Sequence, residues 1–363
     1  MADYNDKIKE LEDLIKNSKY NKKTQHAIGL YKAQLAKLKE KQTARSKSSG
    51  PKEGYTVRRT GDGTVLLLGF PSVGKSTLLN ALTNQESEVG AYAFTTLSVI
   101  PGLLEYKYAK IQILDVPGIV KGAASGRGRG REVLSVMRNA DMAIILLDVN
   151  DPEHRTIILE EVRDAHIRLN QKRPDVKIVK TAKDGLKIAW TVKKSLTNET
   201  VKAVLKEFKI NNADVVIREK ITVDQLIDCI EDNKKYLPAI TVINKMDMVT
   251  EEKLEKVINE TKANLAVSAK GKKGIEELKE LIFEGLNFMS IYMKEPTKEA
   301  DMDEPLIIEK NSTIRDVCSK LHKDMIKLFK FARVWGPSAK FPGQKLMLNH
   351  KLKDGDVLEV HLF

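Results

Sequence analysis

The chain has 363 residues, 42% apolar and 31% charged, which excludes collagen-like, mucin-like and disordered classes and leaves room for two or three packed domains. No run of about 18 apolar residues occurs, and the first thirty residues are rich in charge, so neither a membrane span nor a secretory leader is expected. Lys plus Arg outnumber Asp plus Glu by 62 to 50, a net charge of +12, and the two cysteines, Cys229 and Cys318, lie far apart without metal-ligand spacing, which suits a reducing cytoplasm.

From the N-terminus, Ile8, Leu11, Leu14 and Ile15 recur at helical spacing within residues 3–18. Leu30, Tyr31, Leu35 and Leu38 repeat the pattern within 25–41, and a polar break at 17–24 separates the two, so residues 1–45 read as a helical hairpin. A Ser/Gly/Pro stretch makes 46–60 a linker. Residues 64–69, 111–115, 142–148 and 239–244 are short apolar runs without polar alternation, as buried parallel strands should be. With helical stretches between them they predict a doubly wound, mostly parallel α/β domain over 61–170 and 238–290. The interval between Asp148 and Ala239 is too long for one crossover helix. Residues 153–169 supply that helix. The remainder, 171–237, reads as an inserted small α/β domain with a hairpin signal at Lys183-Asp184-Gly185, helices near 199–208 and 222–232, and a strand at 214–218. After a helix at 274–286, strands at 306–309, 331–335, 345–348 and 356–361 around a helix at 313–322 suggest a β-grasp domain over 291–363.

Charge is clustered along this plan. Residues 16–59 carry thirteen basic side chains against two acidic, residues 315–353 carry ten against two, and Lys121, Arg127, Arg129 and Arg131 form a shorter run. Together they point to a polyanionic partner, nucleic acid, bound through phosphate neutralisation.

The first strand runs into Gly69-Phe70-Pro71-Ser72-Val73-Gly74-Lys75-Ser76-Thr77 and then a helix, the required context for a phosphate-binding loop. Glycines let backbone amides converge on phosphate oxygens, and the helix N-terminus adds partial positive charge. Lys75 is expected to reach the β- and γ-phosphates and Ser76 to ligate Mg²⁺. Asp115-Val116-Pro117-Gly118 follows another strand; its carboxylate can hold the Mg²⁺ shell, and the Gly118 amide can sense the γ-phosphate. Asn244-Lys245-Met246-Asp247 follows the last strand, at the carboxyl edge where nucleotides sit in open α/β sheets. Guanine presents two adjacent donors to one carboxylate and adenine does not, so Asp247 reads guanine, Asn244 supports the loop and the Lys245 stem packs on the ring. In register with these, Ser268-Ala269-Lys270 fits the loop whose amide meets guanine O6. All four elements stand in the expected order, so GTP and GDP are the expected ligands.

These motifs, with Tyr92-Ala93-Phe94-Thr95-Thr96, the continuation of the second motif through Ala123, and Gly126-Arg127-Gly128-Arg129-Gly130-Arg131, resemble those of the Obg-related GTPases, and within them the developmentally regulated GTP-binding branch of archaea and eukaryotes. The resemblance covers nearly the whole chain. It implies a helical N-terminal hairpin, an inserted domain like a small-subunit ribosomal protein fold, and a C-terminal TGS domain of β-grasp type. It also implies that Phe94, Thr95 and Thr96 belong to the nucleotide site, with Thr96 as the switch threonine that ligates Mg²⁺ and meets the γ-phosphate. Lys75, Thr96 and Gly118 are then the groups that act on the reacting phosphate.

The position after Asp115-Val116-Pro117-Gly118, where Ras-like enzymes carry a water-orienting glutamine, is Ile119, so unaided hydrolysis should be slow, on the order of 10⁻⁴–10⁻³ s⁻¹. Some potassium-dependent relatives carry Asn where this chain has Ser72, which leaves K⁺ use open. The favoured expectation is a cytoplasmic, monomeric GTPase switch acting on ribosomes or RNA in translation. The other readings are a scaffold that recruits a dedicated partner protein, and an ATP-using relative, against which Asp247 argues.

Overall fold

The computed structural model describes residues 2–19, 21, 24–45, 61–83, 100–115, 139–322 and 324–363, and it divides into two compact units. The larger unit begins with strand β1 (Gly63–Leu68), the helix Lys75–Thr83, and strands β2 (Ile100–Tyr106), β3 (Ala109–Asp115) and β4 (Met142–Asp148). The helix His154–Asp164 follows. It ends ahead of the expected 169, because the chain turns through Ala165 and His166, the latter at φ 63°, into a three-residue strand, β5 (Ile167–Leu169).

The smaller unit combines the two N-terminal helices with residues 162–236. Its sheet contains β6 (Val176–Lys180), β7 (Leu186–Trp190) and β8 (Ala213–Ile217) in the order β6-β8-β7. The turn expected at Lys183-Asp184-Gly185 is present, with Asp184 and Gly185 at φ 81° and 70°. It does not close a hairpin, however: β8 lies between its two flanking strands, antiparallel to β6 and parallel to β7. Ile178, Ile188 and Val215 of these strands meet on one face against Val201, Val204 and Leu226 of the helices Asn198–Glu207 and Val223–Glu231. Thr197 and Thr222 cap those helices through their hydroxyls.

The N-terminal pair, Ala2–Asn17 and Gln25–Arg45, is the expected helical hairpin, and its second helix docks on the Asn198–Glu207 helix. Gly29 permits the close approach, since a Cβ there would lie 3.1 Å from the Thr200 methyl. Buried Gln25 fastens the start of the helix, donating to the Ser195 carbonyl at 3.2 Å and accepting from the Thr197 amide at 3.3 Å. Lys32 pairs with Asp224 at 2.7 Å and Lys37 with Glu207 at 3.1 Å, so part of the N-terminal basic cluster is neutralised inside the protein.

Strand β9 (Lys235–Leu237) pairs with β5, and β10 (Ala239–Asn244) and β11 (Leu265–Ala266) then complete the larger sheet, ordered β11-β10-β4-β1-β3-β2. Every pairing is parallel except that of β2, an antiparallel edge strand. Alternation along β10 shows both faces covered. Val242 joins Leu278 and Ile282 of the helix Ile275–Gly285, and Ile243 joins Val257 of the helix Glu251–Thr261.

The C-terminal sheet runs β13-β12-β16-β14-β15, from β12 (Phe288–Met293), β13 (Leu306–Glu309), β14 (Phe329–Trp335), β15 (Gln344–Leu346) and β16 (Val357–Leu362). Ile314, Val317 and Cys318 of the helix Ile314–Leu321 pack on one of its faces. That is the β-grasp arrangement, a helix on a mixed five-stranded sheet, here with the short helix Met325–Leu328 after it. Phe288 and Ile307 belong to the same core cluster as Val65 and Ile111 of the larger sheet.

Candidate functional site

Strands β1, β3, β4 and β10 run parallel and end together at one carboxyl edge, and every described candidate residue lies there. Beyond fully buried β1, the loop 69–74 turns sharply into the helix Lys75–Thr83. Gly69 is required because a Cβ would meet the Leu146 carbonyl oxygen at 2.8 Å. Gly74 combines φ 95° with a Cβ position 2.4 Å from Asn244 Nδ2. Ser72 also adopts positive φ, at 65°. The Lys75 ammonium folds back over the loop, donating to the carbonyls of Gly69 at 3.2 Å and Phe70 at 3.1 Å. Burial lowers its pKa from the ordinary lysine value, with nearby Asp115 opposing the shift. Ser76 and Thr77 occupy the exposed first turn of the helix.

Asp115, the last residue of β3, is 5% exposed. Its Oδ2 accepts the Ser76 hydroxyl at 3.2 Å, and its buried Oδ1 has no hydrogen-bond partner among the described residues. Burial raises the carboxyl pKa, against the lowering effects of Lys75 and the Ser76 hydrogen bond. Among the described residues no three His, Cys, Asp or Glu side chains converge as a metal cluster. A cation here would therefore take one carboxylate, one hydroxyl and its remaining ligands from elsewhere.

The third and fourth motifs are tied to the first through one side chain. Asn244, buried at the end of β10, donates to the Val73 carbonyl at 2.9 Å and accepts the Ala269 amide at 3.0 Å. Lys245, at φ 65°, donates to the Ser72 carbonyl at 3.0 Å and to Asp148 Oδ2 at 2.6 Å. Met246 and Asp247 sit in the short 3₁₀ turn Met246–Met248, with Asp247 exposed and its carboxyl held below the ordinary range chiefly by a hydrogen bond from Ser268. Lys270 contributes to that lowering through its charge, and Ser268 Oγ accepts the Gly271 amide at 3.0 Å.

Phe94, Thr95, Thr96, Val116, Pro117 and Gly118 lie outside the described residues, as do Ile119, Lys121, Arg127, Arg129 and Arg131. Two contributors escaped the sequence reasoning. Asp148 ends β4 level with Asn244 and anchors Lys245; the available signal was an acidic residue closing an otherwise apolar strand. His154 stacks on Phe70 with ring centroids 4.1 Å apart, and nothing in an isolated histidine 84 positions along the chain announces that contact.

Three family models match the chain from residue 64 onward: a 50S ribosome-binding GTPase over residues 64–182, the C-terminal region of the MMR_HSR1 domain over 183–288, and a TGS domain over 290–362. An uncharacterized GTP-binding protein of Methanocaldococcus jannaschii is 49% identical over 98% of this chain and 92% of its own length. Developmentally-regulated G-protein 3 of Arabidopsis thaliana is 43% identical, over 98% of this chain and 97% of that one. Developmentally-regulated GTP-binding protein 1 of Xenopus laevis is 42% identical over 98% of each.

Proposed function

The chain belongs to the developmentally regulated GTP-binding protein family, and from that premise we propose that it is a slow, Mg²⁺-dependent GTPase switch acting on ribosomes or structured RNA in the cytoplasm. The observation that carries the reading is Asn244, whose one amide joins the phosphate loop at Val73 to the Ser268–Ala269–Lys270 loop. A nucleotide spanning the two loops is thereby gripped at both ends.

In this reading the amides of 72–76 face the phosphates, and the Lys75 ammonium exchanges the Gly69 and Phe70 carbonyls for β- and γ-phosphate oxygens. Ser76 and the unpartnered oxygen of Asp115 fit Mg²⁺, a hard cation that takes oxygen donors and completes its shell from phosphates and water. Bound there, Mg²⁺ supplies charge neutralisation across the β- and γ-phosphates. Asp247 accepts the paired guanine donors, the Lys245 stem lies against the ring, and the Ala269 region meets O6. Thr96 and the Gly118 amide report the γ-phosphate to the loops that carry them. Ile119 offers no hydrogen bond to the attacking water, so the intrinsic rate is low.

No helix among the described residues is long and apolar enough to cross a membrane. The RNA part of the proposal rests on the basic segments and on the ribosome-binding description of the matched GTPase model. Co-sedimentation with ribosomes in a GTP analogue against GDP, repeated across a salt titration, tests it. Docking on RNA predicts association that depends on the analogue and falls steeply with salt. Association indifferent to nucleotide and salt would replace this reading with a partner-recruiting scaffold.

A further inference from the structure

The register of the C-terminal sheet assembles a row of charge from residues distant in sequence. Arg333 on β14 stands opposite Lys345 on β15 and Glu359 on β16. Lys294, just beyond β12, donates to Glu359 at 2.9 Å. Alternation decides which face this is. Ala332, Val334 and Leu358 point into the core with the helix Ile314–Leu321, so Phe331, Arg333 and Trp335 point the other way.

Glu359, 3% exposed, anchors the row. Besides Lys294, His361 lies 2.5 Å from it and the Arg333 guanidinium 3.8 Å. Lys294 and Arg333 therefore flank one carboxylate, Lys345 stands across from Arg333 on the neighbouring strand, and the Arg333 side chain keeps 43% of its surface in solvent. Aromatic rings flank the row. Phe331 is stacked on His361 on its β16 side, centroids 4.4 Å apart, and on its β15 side the Lys345 ammonium lies 4.8 Å from the ring centre. Lys294 lies 5.2 Å from the ring centre of Trp335.

A surface that alternates cations with aromatic rings matches a ligand that alternates phosphates with flat bases. The Lys345 ammonium that lies over the Phe331 ring is carried on a flexible stem. A base that displaced it would stack on the ring, and the freed ammonium would be available to a phosphate. Duplex RNA keeps its base faces inside the helix and cannot make this exchange. An acidic polypeptide would answer the cations and leave the ring without a stacking partner.

We propose that this face of the C-terminal sheet binds a single-stranded RNA segment, with a base on Phe331 and adjoining phosphates on Arg333, Lys345 and Lys294. The choice of RNA rests on the ribosomal reading above.

The test uses the full chain, a fluorescein-labelled single-stranded RNA of about ten nucleotides, its duplex form, and polyglutamate of equal charge as competitor. A Trp190→Phe background leaves Trp335 as the sole tryptophan. The expected result is tighter binding of the single strand than of the duplex by about tenfold or more, with quenching of Trp335 fluorescence. Arg333→Gln with Lys345→Gln should weaken binding about tenfold and flatten the salt dependence by about one to two charges, with GTP turnover unchanged. Phe331→Leu should weaken binding at least fivefold or so with the salt slope kept. Equal affinity for single strand and duplex, an unmoved Trp335 signal, insensitivity to the double substitution, or polyglutamate competing as well as RNA would each overturn the proposal. Ribosome co-sedimentation separates it from the broader reading. GTP-dependent pelleting without oligonucleotide binding overturns this surface alone. Oligonucleotide binding as described, with no pelleting in any nucleotide state, keeps the surface and overturns the ribosomal role.

Discussion

Asp148→Ala removes a side chain that no nucleotide would touch, and it should nevertheless weaken nucleotide binding. In the folded protein Asp148 Oδ2 holds the Lys245 ammonium at 2.6 Å, and Oδ1 accepts the Asn150 amide at 2.9 Å. Burial pushes the Asp148 carboxyl up, but hydrogen bonds from Lys245 and the Asn150 amide outweigh it and leave the pKa below the ordinary value. Without this anchor Lys245 keeps only the Ser72 carbonyl, and its stem must be ordered when a base arrives. Immobilising a free lysine costs about 1.5–2 kcal/mol. The surviving Ser72 contact reduces that to about 1.4 kcal/mol, a factor of about ten in Kd. Asp148→Asn retains a neutral acceptor and should lose about half as much free energy, a factor of about three. The assay is equilibrium binding and dissociation of fluorescent GDP and of a non-hydrolysable GTP analogue. In the proposed site Lys245 serves the base, so both ligands should weaken equally, mainly through faster dissociation. Unchanged affinities, or a loss confined to the triphosphate, would refute the reasoning.

Asp247→Asn should lower guanine affinity and admit xanthine nucleotides, since the exchanged amide complements the xanthine carbonyl; competition binding with XTP reads this, and retained guanine selectivity would contradict it. Asp115→Asn should raise the melting temperature of the nucleotide-free protein at neutral pH by a few degrees, because it removes a buried charge with one unpartnered oxygen, while abolishing stabilisation by Mg²⁺·GTP. The sign follows from the raised carboxyl pKa. Between the ordinary value of 3.8 and the higher folded one, the native state binds more protons, so this residue's contribution to stability falls as pH rises through that window. Melting curves across pH should show the decline in the parent and a shallower one in the variant. Gly29→Leu should destabilise the smaller unit by about 1–3 kcal/mol through overpacking against Thr200 and Val204. Limited proteolysis should then cut the N-terminal helices faster, with GTP affinity unchanged.

Much of the candidate site's local layout was legible in the sequence because its motifs are local. A buried strand, a glycine turn and a helix start must follow one another within a dozen residues, and Asn244 to Asp247 lie on one turn at a strand end. Apolar runs likewise marked β1, β3, β4 and β10 of the larger sheet. Periodicity tells which face of an element is buried and leaves its partner undefined. Hence a turn signal at Asp184-Gly185 suggested a hairpin, whereas the tertiary structure seats β8 between the two strands. Hence also the lysines at 32 and 37 counted as an open basic face, when Asp224 and Glu207, 192 and 170 positions away, already neutralise them. Gln25, Asp148 and His154 are of the same kind: each acts through contacts with residues distant in sequence. The row of Lys294, Arg333, Lys345 and Glu359 shows the division most clearly. Strand identity comes from the residues, but adjacency across strands comes from register, and only the folded sheet sets that.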